Sequence, residues 1–247
     1  MLNMIKTVLC FLYIAVSVII LLPFALFAGF FYLIGIRKFM TNIIYRIAQG
    51  WAKSLVFVTG CTVSVKGLDN IPRNSSVCFV SNHDGYFDIV LLVAYCNRPF
   101  GFIAKKELVF VPFINLWIFL LGGLFIDRVN VRKAISTINK GVRRIKAGSG
   151  MVIFPEGHRS KGRGLLPFHP GSLKLATSAG APIVPVVIKG SYNVFEKTKR
   201  IASSHVNLTF LNPINTADLP PEHKKHILSD RIFSVINEEL LKMNTVV

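Results

Sequence analysis

The chain has 247 residues, 52% of them hydrophobic and 17% charged, with 29 Lys and Arg against 12 Asp and Glu and a formal net charge of +17. So apolar and aromatic-rich a chain is neither disordered nor collagen-like, and its charge calls for an anionic partner: nucleic acid, an anionic membrane or a phosphorylated substrate. The four cysteines, Cys10, Cys61, Cys78 and Cys96, form no CxxC pair, which argues against a zinc ribbon or a disulfide scaffold.

From Thr7 to Ile36 no residue is charged. Thirty helical residues reach about 45 Å, against a hydrocarbon core of about 30 Å. Pro23 lies mid-run and predicts a kink or break there. The run is therefore one tilted, kinked span, or two short helices bent at Pro23 that enter and leave the same leaflet. The second geometry spares Lys6, Arg37 and Lys38 from translocation, which favours it. Leu26 and Phe27 spoil a signal-peptide cleavage pattern near Ala28.

No Asp or Glu precedes Asp69, whereas residues 37–66 carry Arg37, Lys38, Arg46, Lys53 and Lys66. The positive-inside bias then places the bulk of the protein on the cytoplasmic face of a membrane, the inner membrane in a bacterium, against anionic lipid.

After about residue 60, short strands alternate with helices. Strands are expected at 62–66, 77–80, 102–104, 124–126, 151–154, 183–188 and 206–211, and helices at 89–95, 131–147, 173–178 and 222–243. The apolar stretch 108–123 reads as one buried or interfacial helix, too short to span. In 131–147 the apolar residues recur at helical spacing among Arg132, Lys133, Lys140, Arg143, Arg144 and Lys146. That is a core helix with a solvated basic face, or one that touches acidic lipid or protein. The fold class is α/β: a central mixed sheet flanked by helices over 59–247, preceded by a membrane-anchoring helical region over 1–58.

Four segments carry chemistry. Ser81-Asn82-His83-Asp84-Gly85-Tyr86-Phe87-Asp88 lies between a predicted strand and helix. On one helix His83 and Asp88 would diverge by about 140°, so they meet only if residues 84–86 turn. A carboxylate on one imidazole nitrogen fixes the tautomer and lets the other remove a hydroxyl proton. The plainer reading is a capped helix start with an unrelated histidine. A metal site is disfavoured because no third ligand has clear spacing.

Gly123-Leu124-Phe125-Ile126-Asp127-Arg128 places a guanidinium at a strand end, where open α/β sheets bind ligands and where its fork suits phosphate. The alternative is a surface Asp127–Arg128 pair. Phe154-Pro155-Glu156-Gly157-His158-Arg159-Ser160 again ends a strand in a turn with Glu and Arg, and continues into a basic loop able to wrap a phosphate. In Ala181-Pro182-Ile183-Val184-Pro185-Val186, Pro185 within a strand predicts a bulge or an edge.

In order and spacing these four blocks resemble those of the glycerolipid acyltransferase family, most closely its 1-acyl-sn-glycerol-3-phosphate acyltransferase branch. The resemblance implies His83 as general base oriented by Asp88, and Arg128 and Arg159 as phosphate ligands. It implies that Glu156 and Gly157 position the glycerol-phosphate, and that Pro185 shapes the acyl site. Lys105, just after a predicted strand, is a further candidate for the phosphate. Gly85 stands where the family often has Ser, and His158 where it often has Thr.

The expected reaction moves an acyl chain from acyl carrier protein or coenzyme A to the free hydroxyl of lysophosphatidic acid, with no cofactor, metal or acyl-enzyme. No GxSxG elbow appears. Rival readings are glycerol-3-phosphate or another lysolipid as acceptor, and a non-enzymatic basic membrane-binding protein. Nucleic acid is disfavoured for want of a finger, zipper or RRM signature. A transporter is disfavoured because one apolar segment is poor material for a transport path.

Overall fold

The structure is a computed structural model and describes residues 2–73, 76–169, 171–216 and 226–245. Two long helices lead: α1 (Leu2–Leu33) and α2 (Arg37–Thr59). After them come β1 (Thr62–Lys66), β2 (Val77–Ser81), α3 (Asp88–Tyr95), β3 (Phe100–Lys105), α4 (Ile114–Leu120), β4 (Leu124–Ile126) and α5 (Val131–Lys146). The chain continues through β5 (Gly150–Ile153), α6 (Lys174–Ala179), β6 (Ile183–Lys189), the short α7 (Ser191–Val194), β7 (His205–Phe210) and α8 (His226–Thr245). The expected start of the last helix, 222–225, lies outside the described residues.

The strands form one sheet in the order β1-β7-β6-β2-β5-β3-β4. Neighbours are parallel except β6 and β7, so the sheet is mixed. Period-two alternation sorts its side chains into two cores. Phe79, Val152, Val184 and Val186 pack toward α2 and α3. Cys78, Val80, Met151, Ile153 and Val187 pack in a second core with Ile145 of α5, Leu175 of α6 and Leu228 and Ile232 of α8. Because β4, β3, β5, β2 and β6 run the same way, their C-terminal ends line up on one edge, where the motif loops emerge.

Pro185 lies inside β6, opposite Val80 of β2. The expected irregularity is present: between the Val186–Phe210 pair and the Ile183–Ile214 bridge, two residues of β6 face three of the returning chain. The missing proline N–H falls in that bulge, and the Pro185 carbonyl still accepts from Leu211 N at 2.9 Å.

Two expectations are corrected. The helix does not break at Pro23, which sits inside 32 continuous helical residues. The chain reverses instead at Gly35, which takes φ 101°, with Ile36 N donating to Phe31 O at 3.1 Å. That is a glycine-ended helix cap. Residues 108–123 are also not one helix. A 3₁₀ turn over Lys106–Phe110 and the seven-residue α4 are separated at Pro112 and Phe113, where proline withholds a helical N–H.

The α1–α2 hairpin lies along the domain flank. Tyr45, Ala48, Ala52 and Val56 of α2 join the core beneath α3. α1 is tied near its start, where Lys6 Nζ donates to Ser203 Oγ at 2.5 Å and Ile201 N to Thr7 Oγ1 at 2.8 Å. Its far half packs Ala25 and Ala28 against Leu120 of α4 and Met40 and Ile44 of α2. The opposite side of α1 exposes a long apolar row that includes Val8, Leu12, Ile19, Ile20, Phe27 and Phe30.

Candidate active site

The turn required between His83 and Asp88 forms. β2 ends at Ser81, α3 begins at Asp88, and the loop between them brings His83 Nδ1 to 2.6 Å from Asp88 Oδ2. Asp88 is fully buried. Gly85 N donates to its Oδ2 at 3.1 Å, and Ser191 Oγ donates to Oδ1. Burial pushes the Asp88 carboxyl above its ordinary range, while His83 and Ser191 pull it back. The His83 ring stacks on Phe154, centroids 4.2 Å apart, and 21% of its side chain is exposed. Among the described residues nothing bonds its Nε2. An imidazole held this way through Nδ1 can accept a proton at Nε2.

Glu156 is buried and spends both oxygens on backbone: Oε1 accepts from His83 N at 2.7 Å and Oε2 from Leu166 N at 3.1 Å. Burial and the nearby Asp88 and Asp84 carboxylates push its carboxyl up to about 7 against the two hydrogen bonds. Ser160 N donates to His83 O at 2.7 Å and Lys161 N to Asp84 O at 3.1 Å. The first and third blocks are thus laced together through backbone.

Arg128 Nη1 donates to the Gly157 carbonyl, joining the second and third blocks. The surface pair weighed for Asp127 and Arg128 does not form. Asp127 accepts from Lys106 Nζ at 2.9 Å and from Val129 N and Asn130 N at 3.0 Å, which holds its carboxyl down at about 2. Arg128 is thereby left to face the site with one backbone partner. Gly157 takes φ 70°, a left-handed conformation that favours glycine. Lys105 ends β3, half-exposed, 3.4 Å from Glu107.

Arg159 has a different neighbourhood. It donates to the buried Glu196 and lies over the Tyr86 ring at 3.5 Å. Glu196 also accepts from Tyr86 N. His158 stands at the surface near His169. Pro185 is in the sheet, one strand position before the residue paired with Ser81.

Four supporting residues escaped the reading of the sequence. Asn82 pairs both ways with Ile188, at 2.7 and 2.8 Å, and extends the β2–β6 ladder. Asp84 accepts from Gly190 N, Ser191 Oγ and Tyr192 N. Ser191 and Glu196 come from the segment after β6. The available signal was positional: β6 ends on the same edge as β2, so the chain leaving β6 borders the site.

The Acyltransferase family model matches residues 62–189. The 1-acyl-sn-glycerol-3-phosphate acyltransferase of Haemophilus influenzae is 30% identical over 206 residues, 80% of this chain and 85% of that protein. That of Borreliella burgdorferi is 28% identical over 190 residues, 77% of this chain and 74% of that one. The crystal structure of the 1-acyl-sn-glycerophosphate (LPA) acyltransferase PlsC from Thermotoga maritima matches with a TM-score of 0.84 at 25% identity, covering 98% of this chain and 95% of that chain.

Proposed function

Because the chain belongs to the Acyltransferase family, we propose that it is a membrane-bound enzyme that acylates the free hydroxyl of 1-acyl-sn-glycerol-3-phosphate, giving phosphatidic acid. The donor is a thioester of acyl carrier protein or coenzyme A. The observation that carries this reading is the His83 Nδ1–Asp88 Oδ2 contact on the sheet edge that also presents Arg128. Similarity to the two bacterial enzymes and to the Thermotoga structure supports the acceptor.

Asp88 holds the Nδ1–H of His83 and stabilises the imidazolium that forms. Nε2 takes the acceptor hydroxyl proton as the hydroxyl oxygen attacks the thioester carbonyl carbon. The C–O bond forms, the C–S bond breaks, and the imidazolium returns its proton to the thiolate. The transfer needs no acyl-enzyme. Arg128 and Lys105 take the phosphate, Arg128 as a fork positioned by the Gly157 carbonyl. Glu156 acts by fixing the His83 backbone. Arg159 reaches a phosphate only by sharing or leaving Glu196, and in its present place it braces Tyr86.

The hairpin supports attachment to a single leaflet. α1 is packed on the domain at both ends, and residues of α1 share a cluster with Phe87 of the catalytic loop. A helix so attached cannot cross a bilayer without drawing the domain flank in with it. It therefore lies in one leaflet, apolar row outward, with Arg46 and Lys53 of α2 available to anionic head groups. The domain then lies on the cytoplasmic face.

The test is a panel of acceptors: lysophosphatidic acid, glycerol-3-phosphate and lysophosphatidylcholine, each offered with both thioesters and the products identified by mass spectrometry. Lysophosphatidic acid is expected to be used best. Preference for glycerol-3-phosphate or for the choline lipid would overturn the acceptor assignment.

A further inference from the structure

The segment between β3 and α4 is built as a turn with its apolar side chains outward. Phe113 takes φ 64° and ψ −46°, and Ile114 N donates to Pro112 O at 2.7 Å. That is a γ-turn, strained for a bulky residue and held only where the surroundings enforce it. Asn115 enforces it, donating from Nδ2 to Val109 O at 2.7 Å and from N to Val111 O at 3.1 Å. The result exposes Val109, Val111, Phe113 and Ile114, and leaves Phe110 84% exposed. Single exposed apolar residues are ordinary, but a contiguous patch of this kind marks an interaction surface.

Two features name the occupant. The first is continuity with the lipid-facing helix. Phe119 of α4 packs edge-to-face on Tyr32 of α1 at 5.3 Å, and Leu120 packs on Ala25 and Ala28. The second is composition across the site mouth. The Lys106–Asp127 pair ties the turn to the end of β4, after which Val129 (86% exposed), Val131 and Ile135 also face outward. Lys105, Arg128, Arg132 and Lys133, all exposed, neighbour these residues in sequence. Exposed apolar side chains interspersed with cations match acyl chains and anionic head groups.

We propose that Val109–Ile114, with Val129 and Val131, is a second membrane-insertion element that seats the mouth of the active site on an anionic bilayer. It rests on the reading that α1 lies in the leaflet. With α1 on one side and this turn on the other, the acceptor reaches His83 without leaving its leaflet.

The test uses the full chain with Cys61→Ser, since Cys10, Cys78 and Cys96 are buried. Phe110→Cys carries an environment-sensitive fluorophore and is bound to vesicles of phosphatidylglycerol and phosphatidylcholine. The label should shift to the blue and be quenched by lipids brominated on the acyl chain. Separately, Phe110→Asp should lower turnover of vesicle-embedded lysophosphatidic acid about tenfold, while a short-chain lysophosphatidic acid that is monomeric in water is used at the wild-type rate. A bound protein whose label stays unquenched overturns the inference and leaves the α1 reading intact. Failure of the unsubstituted chain to bind vesicles overturns both. Equal loss on the soluble acceptor would mean the turn is part of the domain's own packing.

Discussion

The carboxylate of Glu156 grips the backbone of His83, Oε1 to N at 2.7 Å, 73 residues away in sequence. The third block thereby fixes where the candidate base stands, with each oxygen of the buried Glu156 carboxylate on a backbone N–H. Glu156→Ala should leave two part-buried N–H groups without their partner, at about 1–3 kcal/mol each at most, and should lower turnover with the loss of His83 placement. Glu156→Gln keeps one acceptor and should cost less. Thermal melting in detergent together with initial rates checks both.

Glu156 also makes a pH prediction. Its carboxyl is raised from the ordinary 4.5 to about 7, so the folded chain holds a proton that the unfolded chain releases. Its contribution to stability is complete below about 4.5, declines as pH rises to about 7, and is level above that. The total change is at most about 3 kcal/mol. Wild type minus Glu156→Gln reads this contribution together with its coupling to Asp88 and Asp84. A difference in stability that grows from pH 4.5 to 7 would have the wrong sign.

Arg128 should serve the phosphate. Arg128→Ala should cost about 1.5–3 kcal/mol of transition-state binding, roughly tenfold to more than a hundredfold in kcat/KM. Arg128→Lys should recover only part, because an ammonium cannot form the fork. An acceptor lacking phosphate should be used equally by all three. If it suffers as much, Arg128 is holding Gly157 and nothing else.

Gly85 has no room for a side chain. A Cβ there would come within 2.8 Å of Tyr192 N and 2.9 Å of Tyr192 Cα. Gly85→Ser should push α7 and with it Ser191 away from Asp88. The expected cost is about 1–3 kcal/mol, seen as a lower melting temperature and reduced turnover. An unchanged melting temperature would show that α7 yields freely.

The hairpin predicts that both ends of α1 stay on one side. Asn3→Cys, in a chain with Cys61→Ser and in sealed vesicles with the domain facing out, should be labelled by an impermeant reagent as readily as an exposed domain position. Labelling that requires opening the vesicles would mean that α1 crosses.

Much of the fold could be read from periodicity. β1 and β4 run over the expected residues and α5 within one residue of them, because Asn130 accepts from Lys133 N and marks the helix start. The His83–Asp88 pair was visible because the two residues are close in sequence and need only a turn. Failures arose where composition is uniform. Pro23 and Phe113 both lie in unbroken apolar runs, yet the helix passes through one and the chain turns at the other, because α4 packs on α1 and Asn115 closes the turn. The partner of Arg159 was hidden for another reason. Glu196 lies 37 residues away, outside any motif, and only the alignment of strand ends brings it back.

The most direct test is turnover of lysophosphatidic acid by His83→Ala, purified in detergent and checked for wild-type melting temperature and vesicle binding. Loss of the candidate general base should lower kcat by about 10² to 10⁴ with KM little changed. Asp88→Asn should approach the same loss, because the imidazole forfeits its orienting charge. A folded, membrane-bound His83→Ala protein that turns over near the wild-type rate would contradict the account.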